Sequence, residues 1–255
     1  MSFYPLRYLP SGHIFITPSD DCDKVVDSLL AIDYNEEFCL AGDFGEDFII
    51  RLMEAGFLVM SAELGDEADG DGETGAEECA QTPRDPFYIL LPKLHLVRSA
   101  LFFPELRIKK SIRRFLPQYE LRVNSDFDRI LDKCVAVHGS QWLTSPLTET
   151  LKRLRDRGGA SADLPAKPVS FAVYRDGELK AGEIGIQVGR VYTSYSGYRE
   201  EGNAGTVQII LMTQWLQAAG FEFLDLGMPL AYKSAMGAQD ITPRRFVDLF
   251  RAARS

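Results

Sequence analysis

The chain has 255 residues, 45% of them hydrophobic and 25% charged, and a formal net charge of −9. That length and composition suit one large domain or two small ones with apolar mass enough for a core. No window approaches 18 uncharged apolar residues, which excludes a membrane-spanning helix, and the start MSFYPLRYLPSGHIF lacks the basic-then-apolar pattern of a secretory signal.

From the N-terminus, LPSGHIFITPSD reads as a turn and short strand entering a helix, with Ser19 or Asp20 as its N-cap. CDKVVDSLLAIDY continues it, with Val25, Val26, Leu29 and Leu30 at helical spacing. FCLAGDFGEDFIIRLMEAGFLVM predicts a glycine turn, a helix from about Glu46 to Ala55 and a strand from about Phe57. Residues 64–86 are poor in hydrophobes and rich in Gly, Asp and Glu, the pattern of an exposed, disordered acidic loop. Within 66–85 stand eight acids and one base, so about −2 is left for the rest of the chain and basic patches can exist elsewhere. DGDGE resembles the start of a calcium loop, but the terminal Glu and flanking helices of that pattern are missing.

PFYILLPKLHLVRSA predicts a strand and turn. Glu105–Arg114 carries five bases and reads either as a solvated helix face or as a phosphate-contacting patch. DFDRILDKCVAVHG predicts an amphipathic helix. The next helix carries Leu147, Leu151 and Leu154 on one side and Lys152, Arg153, Arg155 and Arg157 as a second basic cluster. VSFAVYRDGELKAGEIGIQVGRVYTSYSGY predicts an antiparallel meander, with hairpin chemistry at Asp176-Gly177 and Gly189-Arg190. The tail predicts a helix capped near Thr242 with Pro243 at its first position.

The segment Gly189–Leu230 organises the chain. It reads as a strand over Val191–Tyr198, a turn over Glu200–Gly205, a helix over Thr206–Ala219 closed by Gly220, and a short buried strand over Phe221–Leu226. A turn at a helix N-terminus offers unpaired N–H groups to an anion or carbonyl, so any chemistry is expected here. Helix, meander, glycine turn, helix and strand follow the element order of GNAT acyltransferases. The expected class is therefore α+β: a GNAT-like acyltransferase domain over 101–255, an antiparallel or mixed sheet flanked by helices, preceded by a smaller N-terminal α/β domain over 1–100.

Several segments taken together resemble the leucyl/phenylalanyl-tRNA–protein transferase family. LAGDFGEDFIIRLMEAGFLVM stands in place of that family's glycine turn, helix and strand, and ELRIKKSIRRF in place of its basic helix entry. Gln141-Trp142-Leu143-Thr144-Ser145-Pro146 stands for its Trp segment, VYRDGELKAGE for its hairpin and YKSAMGAQDITPRRF for its closing segment. The resemblance implies transfer of leucine or phenylalanine from a charged tRNA to the N-terminal α-amine of a protein that begins with Lys or Arg, a mark for degradation. It implies a Glu on the third meander strand and an Asp-x-Gln after the helix. By position these fall on Tyr195, Asp225 and Gly227, so two of three polar groups differ. A Tyr can donate a hydrogen bond or act as an acid, but is a poor base at neutral pH. The family's double-Trp segment is Tyr88-Ile89-Leu90-Leu91 here, whereas Trp142 is kept.

Asp225 and Tyr195 are the resulting catalytic candidates. Trp142, Tyr192, Tyr198, Gly227 and Asn203 are expected to bind substrate, and Lys109, Lys110, Arg113, Arg114, Lys152 and Arg153 to meet tRNA. Lys233 and Arg244–Arg245 read either as RNA contacts or as exposed, solvated helix-end bases. The bland alternatives are an Asp225 that caps a turn and a Trp142 that is plain core. A second reading takes Arg199, Gly202 and Ala204 as the R-x-x-G-x-A diphosphate loop of an acyl-CoA N-acyltransferase, with Tyr195 or Tyr198 as acid. A third is a catalytically degenerate member that binds tRNA or a protein N-terminus. The scattered cysteines (Cys22, Cys39, Cys79, Cys134) and three isolated histidines point to no disulfide framework and no metal. A cytoplasmic monomer without cofactor is expected.

Overall fold

The computed structural model describes residues 4–64, 86–160 and 164–254. The acidic stretch expected as a disordered loop falls almost wholly outside these residues. Among the described residues no helix is long and apolar enough to cross a membrane.

The first helix, α1 (Cys22–Ala31), begins one residue later than the sequence suggests. Asp21 is its N-cap, its side chain accepting from Lys24 N at 3.2 Å. Asp20 is unavailable for capping because its carboxylate already accepts from Thr17 N at 2.7 Å, Tyr4 Oη at 2.9 Å and Arg7 Nη1 at 3.0 Å. After α2 (Glu46–Glu54), strands β1 (Leu58–Leu64) and β2 (Phe87–Lys93) pair antiparallel as a separate two-stranded sheet.

The main sheet has seven strands. It takes β3 (Arg98–Phe102), β4 (Glu120–Val123), β5 (Ala166–Arg175), β6 (Glu178–Val188), β7 (Val191–Arg199), β8 (Phe223–Asp225) and β9 (Gln239–Ile241), in the order β4-β5-β6-β7-β8-β3-β9. The meander β5-β6-β7 is antiparallel, and its first turn takes positive φ at Asp176 (53°) and Gly177 (78°), as a tight two-residue hairpin requires. β7 and β8 run parallel, which a hairpin cannot connect, and α6 (Ala204–Ala218) makes the crossover. β3 then enters between β8 and β9, antiparallel to both. The architecture is α+β, a mixed sheet flanked by helices. The expected domain boundary at residue 100 falls inside β3.

Side chains alternate across the sheet. Ala172, Tyr174, Ile184, Ile186 and Val191 join a core with Val26, Leu52, Phe127 and Phe246, which draws on α1, α2, α4 (Phe127–His138) and α8 (Pro243–Arg254). Val169, Phe171, Val173, Ala181 and Tyr192 turn to the opposite face, against Val207, Met212 and Leu216 of α6. α5 (Ser145–Ala160) adds Leu147, Leu151 and Leu154 to the first core. Thr242 caps α8 as expected, accepting from Arg245 N at 3.3 Å. The basic stretch is not a long helix. Only α3 (Lys110–Arg113) is helical there, and Pro117 opens a separate 3-10 turn just after it.

Gly185 is a position where only a hydrogen fits. A Cβ there would lie 2.3 Å from Thr193 O and 2.4 Å from Tyr192 Oη, at the point where the β6–β7 register shifts. Gly185→Ala is expected to lower unfolding free energy by about 1–3 kcal/mol in urea titration, whereas Gly159→Ala, where a Cβ meets nothing within 4 Å, is expected to be neutral or slightly stabilising. Equal effects from the two substitutions would contradict this account.

Candidate functional site

β8 delivers Asp225 to its C-terminal end, fully buried. Arg98, at the start of neighbouring β3, meets it side-on: Nε donates to Oδ1 at 2.9 Å and Nη2 to Oδ2 at 2.5 Å. The remaining Arg98 nitrogen donates to Gly56 O at 2.9 Å, and the guanidinium carbon lies 3.8 Å from the centre of the Phe246 ring. Gly227 N also donates to Asp225 Oδ1, at 3.0 Å. Burial alone would raise the Asp225 carboxyl, but the Arg98 guanidinium and the Gly227 N–H hold it below the usual carboxylate range. Asp225 is therefore an ionised partner whose oxygens are both engaged.

His95 lies beside this pair, 3% exposed, with Nε2 unpartnered. Burial, helped by the Arg98 charge, lowers its pKa to about 3, so the ring is neutral. Gly227 has φ +68°, and a Cβ added there would sit 3.5 Å from His95 Nε2. The imidazole thus faces the position where the resemblance implies a Gln.

Glu183 of β6 faces α6. It is 4% exposed, and Gln208 Nε2 of α6 donates to its Oε2 at 3.1 Å. Its Oε1 has no partner, nor has the hydroxyl of fully buried Tyr192 next to it. Burial raises the Glu183 pKa to about 6, with Ser194, Gln208 and the Lys233 charge restraining the rise. Lys233 lies on α7 (Ala231–Ala235). It is not the exposed helix-end base that its sequence context suggests: it is 7% exposed, and Nζ donates to Leu226 O at 2.5 Å and Met228 O at 2.9 Å. Burial lowers its pKa while the charges of Glu183 and Asp225 oppose that fall. The segment around it leaves Met228, Leu230 and Tyr232 exposed, an apolar patch over the end of β8.

The other expected residues lie as follows. Tyr195 is half-buried, its hydroxyl accepts from Val59 N at 2.9 Å, and burial raises its pKa. It feels the charges of Arg98 and Asp225, so the positions matched to the family's Glu and Asp do converge. Trp142 is half-buried against the main core, and its carbonyl accepts from Ser61 N at 3.0 Å. Tyr198 is buried with its hydroxyl unpartnered. Asn203 takes φ +68° as N-cap of α6, and its side chain makes no capping hydrogen bond. Arg199 packs its stem against Gly205, Gly202 is open, and Ala204 is buried. That turn also holds Glu200, paired with Lys133, and Glu201, which accepts from Tyr119 Oη at 2.6 Å.

Lys109, Lys110, Arg113 and Arg114 are exposed, and among the described residues no carboxylate pairs with them. The second basic cluster differs: Lys152 pairs with Asp132 at 3.5 Å and Arg153 with Glu46 at 3.0 Å. Arg244 and Arg245 are exposed, and Arg244 donates to Leu30 O at 3.2 Å. Cys22, Cys39 and Cys134 are buried and free.

Sequence reasoning misses Glu183, Arg98 and His95. Glu183 has a readable signal, being the one charge in Ala181–Val188, an otherwise apolar strand with glycines on both sides. Arg98 and His95 have none, since their partners are distant in the chain.

The fold is a mixed sheet with a parallel crossover that buries two carboxylates, Asp225 and Glu183, and leaves a basic stretch exposed. The family model described as leucyl/phenylalanyl-tRNA protein transferase matches residues 100–251. The chain belongs to that family. A leucyl/phenylalanyl-tRNA--protein transferase of Pseudomonas entomophila is 30% identical over 156 residues, covering 59% of this chain and 66% of that protein. One from Pseudomonas aeruginosa is 28% identical over 162 residues, covering 62% and 68%. The matched region thus spans only about two thirds of the relatives' length. Among solved structures, FemX overlaps with a TM-score of 0.44 at 11% identity, covering 96% of this chain and 85% of that one. An overlap that loose carries nothing about the function of this chain.

The buried charges can be tested through stability. Asp225→Ala leaves Arg98 buried and unpaired, and is expected to cost about 3–5 kcal/mol in chemical denaturation. Arg98→Met combined with Asp225→Leu should recover much of that loss; a single variant as stable as the wild type would show that the pair is dispensable. For Glu183, the carboxyl has an ordinary value near 4.5 and a folded value of about 6. Its contribution to stability is fully present below about 4.5 and is lost as pH rises through about 6, roughly 2 kcal/mol in all. The facing groups are Lys233 and Tyr232 of α7, Tyr192 of β7 and Cys134 of α4. Comparing urea midpoints of wild type and Glu183→Gln at pH 4.5, 5.3 and 6.5 isolates the effect: the wild type should lose ground to the variant as pH rises, and parallel curves would refute the assignment.

Proposed function

We propose that this chain transfers an aminoacyl group from a charged tRNA to the N-terminal α-amine of an acceptor protein. The observation that carries this reading is the family match over 100–251, which covers the strands and helices that bear Glu183, Asp225 and Lys233, the lysine feeling the charge of both carboxylates. The reaction needs a group for the amine, donors for a developing oxyanion, an apolar pocket for the side chain and basic surface for RNA. The uncapped N-terminus of α6 and the Tyr192 hydroxyl are candidate donors. Met228, Leu230 and Tyr232 offer apolar surface to a side chain such as leucine or phenylalanine.

For RNA, Lys109, Lys110, Arg113 and Arg114, which pair with no carboxylate of the described residues, are favoured over Lys152 and Arg153, whose charges carboxylates already offset. The 101–255 segment acts in this reading as a GNAT-like transferase domain. The added residue marks the acceptor for degradation, and the chain works as a cytoplasmic monomer without cofactor. The acyl-CoA alternative uses the Arg199–Ala204 turn, which also holds Glu200 and Glu201, paired with Lys133 and Arg175. The degenerate alternative is weakened by two buried polar side chains, His95 beside the altered Gly227 position and Glu183 on the α6 face of the sheet.

The test presents purified protein with peptides bearing every N-terminal residue, together with either pooled charged tRNAs or acetyl-CoA, and reads mass addition on each peptide. Addition of an amino-acid mass from tRNA is the expected result; acetylation alone would overturn it. Lys109→Glu with Arg113→Glu should weaken binding of charged tRNA and lower the salt slope by roughly one for each phosphate that is no longer neutralised. An unchanged slope would remove the patch from the tRNA surface.

A further inference from the structure

Three carboxylates are buried among the described residues: Asp20, Asp225 and Glu183. Asp20 is held by Thr17, Tyr4 and Arg7, far in sequence from the sheet's centre. Both oxygens of Asp225 are bonded to Arg98. Tyr195, matched to the family's Glu, already accepts from Val59 N and titrates above its ordinary range. Among the described residues Glu183 alone keeps a carboxylate oxygen without a full hydrogen bond, and the neighbouring Tyr192 hydroxyl, close enough to favour the ionised carboxylate, makes none either. An unpartnered carboxylate oxygen at 4% exposure costs stability and is found where something else is to be bonded.

We propose that Glu183 is the catalytic proton acceptor for the attacking amine, a carboxylate placed on β6 in this chain where the family's third meander strand here carries Tyr195. This assignment rests on the aminoacyl-transfer reading. On the side of α7, Lys233 pins the backbone at Leu226 and Met228, and Tyr232 and Lys233 both feel the Glu183 charge.

In the step, the neutral α-amine nitrogen attacks the ester carbonyl carbon of the aminoacyl-tRNA. A C–N bond forms and the carbonyl π electrons move to oxygen. Glu183 Oε1 takes one N–H proton. The oxyanion then re-forms the carbonyl, the C–O bond to the terminal ribose breaks, and the protonated Glu183 returns its proton to that ribose oxygen. Glu183 ends as it began, and no further reactant is needed. A carboxyl poised near pH 6 can both accept and return a proton near neutrality, which a carboxylate held low by an arginine cannot.

The experiment measures transfer by wild type, Glu183→Gln, Glu183→Asp and Tyr192→Phe across pH 5–9, with charged-tRNA binding and thermal melting followed in parallel. Glu183→Gln is expected to lose about 100-fold or more in kcat with tRNA binding unchanged, and Glu183→Asp to recover part of it. The wild-type profile should show an acid limb that Glu183→Gln lacks. Tyr192→Phe removes a hydroxyl that biases Glu183 toward its ionised form, so its acid limb should move to higher pH. This second variant decides the matter if Glu183→Gln fails to fold. A folded Glu183→Gln enzyme within threefold of wild type, or a limb unmoved by Tyr192→Phe, overturns the proposal while leaving the transferase reading intact. A wild type that transfers no amino acid overturns both.

Discussion

The fold turns on the buried pair of Arg98 and Asp225. Removing two full charges from water is expensive, and the cost is offset only when nearly every donor and lone pair is met. Here the demand is met from four parts of the chain. β8 supplies the carboxylate, β3 the guanidinium, the turn after α2 supplies Gly56 O, and the Gly227 amide adds a third hydrogen bond to the carboxylate. Phe246 of α8 lies under the guanidinium and shields it from water. The first 60 residues, the centre of the sheet and the C-terminal helix are thereby tied to one point, and the backbone just beyond β8 is held in place. That backbone carries Gly227 and leads to the apolar patch at Met228–Tyr232.

On the other face of the sheet, a second carboxylate meets the opposite environment. Glu183 has a neutral amide and a hydroxyl for company, with Lys233 as its nearest cationic influence. The same burial therefore has opposite outcomes: a strong cation on Asp225 lowers its pKa, and the lack of a direct one on Glu183 leaves burial to raise it. A pair of carboxyls whose environments separate their pKa values is the usual arrangement for dividing structural and proton-transfer tasks. Lys233 is common to both, since each carboxylate acts on its charge and its Nζ fixes the carbonyls on either side of Gly227.

Local signals in the sequence resolve the local structure. The Asp-Gly turn at 176–177, the helical spacing of α6 and the Pro243 start of α8 each arise from interactions within a few residues, so the elements can be read one at a time. The N-cap of α1 lies one residue beyond its expected place because Asp20 is claimed by Tyr4 and Arg7, at separations of 16 and 13. Lys233 departs from expectation for the same kind of reason. Only the three-dimensional fold of the backbone after β8 brings two carbonyls to its ammonium. Arg98 and Asp225 are 127 residues apart, a distance at which a single sequence carries no pairing signal.

Glu183 is legible in the sequence as an anomaly though not as a partner. A charge in the middle of a buried strand is costly enough to require a reason, and the two glycines beside it indicate close approach of something large. The structure supplies both. Gly185 lets the Tyr192 hydroxyl lie against β6 on the α6 side, and Gly182 makes room for Ile130 on the other. The glycines thus let bulky neighbours pack tightly on both faces of β6 beside Glu183, and burial keeps its pKa high. A larger residue at 185 would clash with Thr193 O and the Tyr192 ring and disturb this packing. Packing on this strand and proton affinity at its centre are therefore linked through the burial of Glu183.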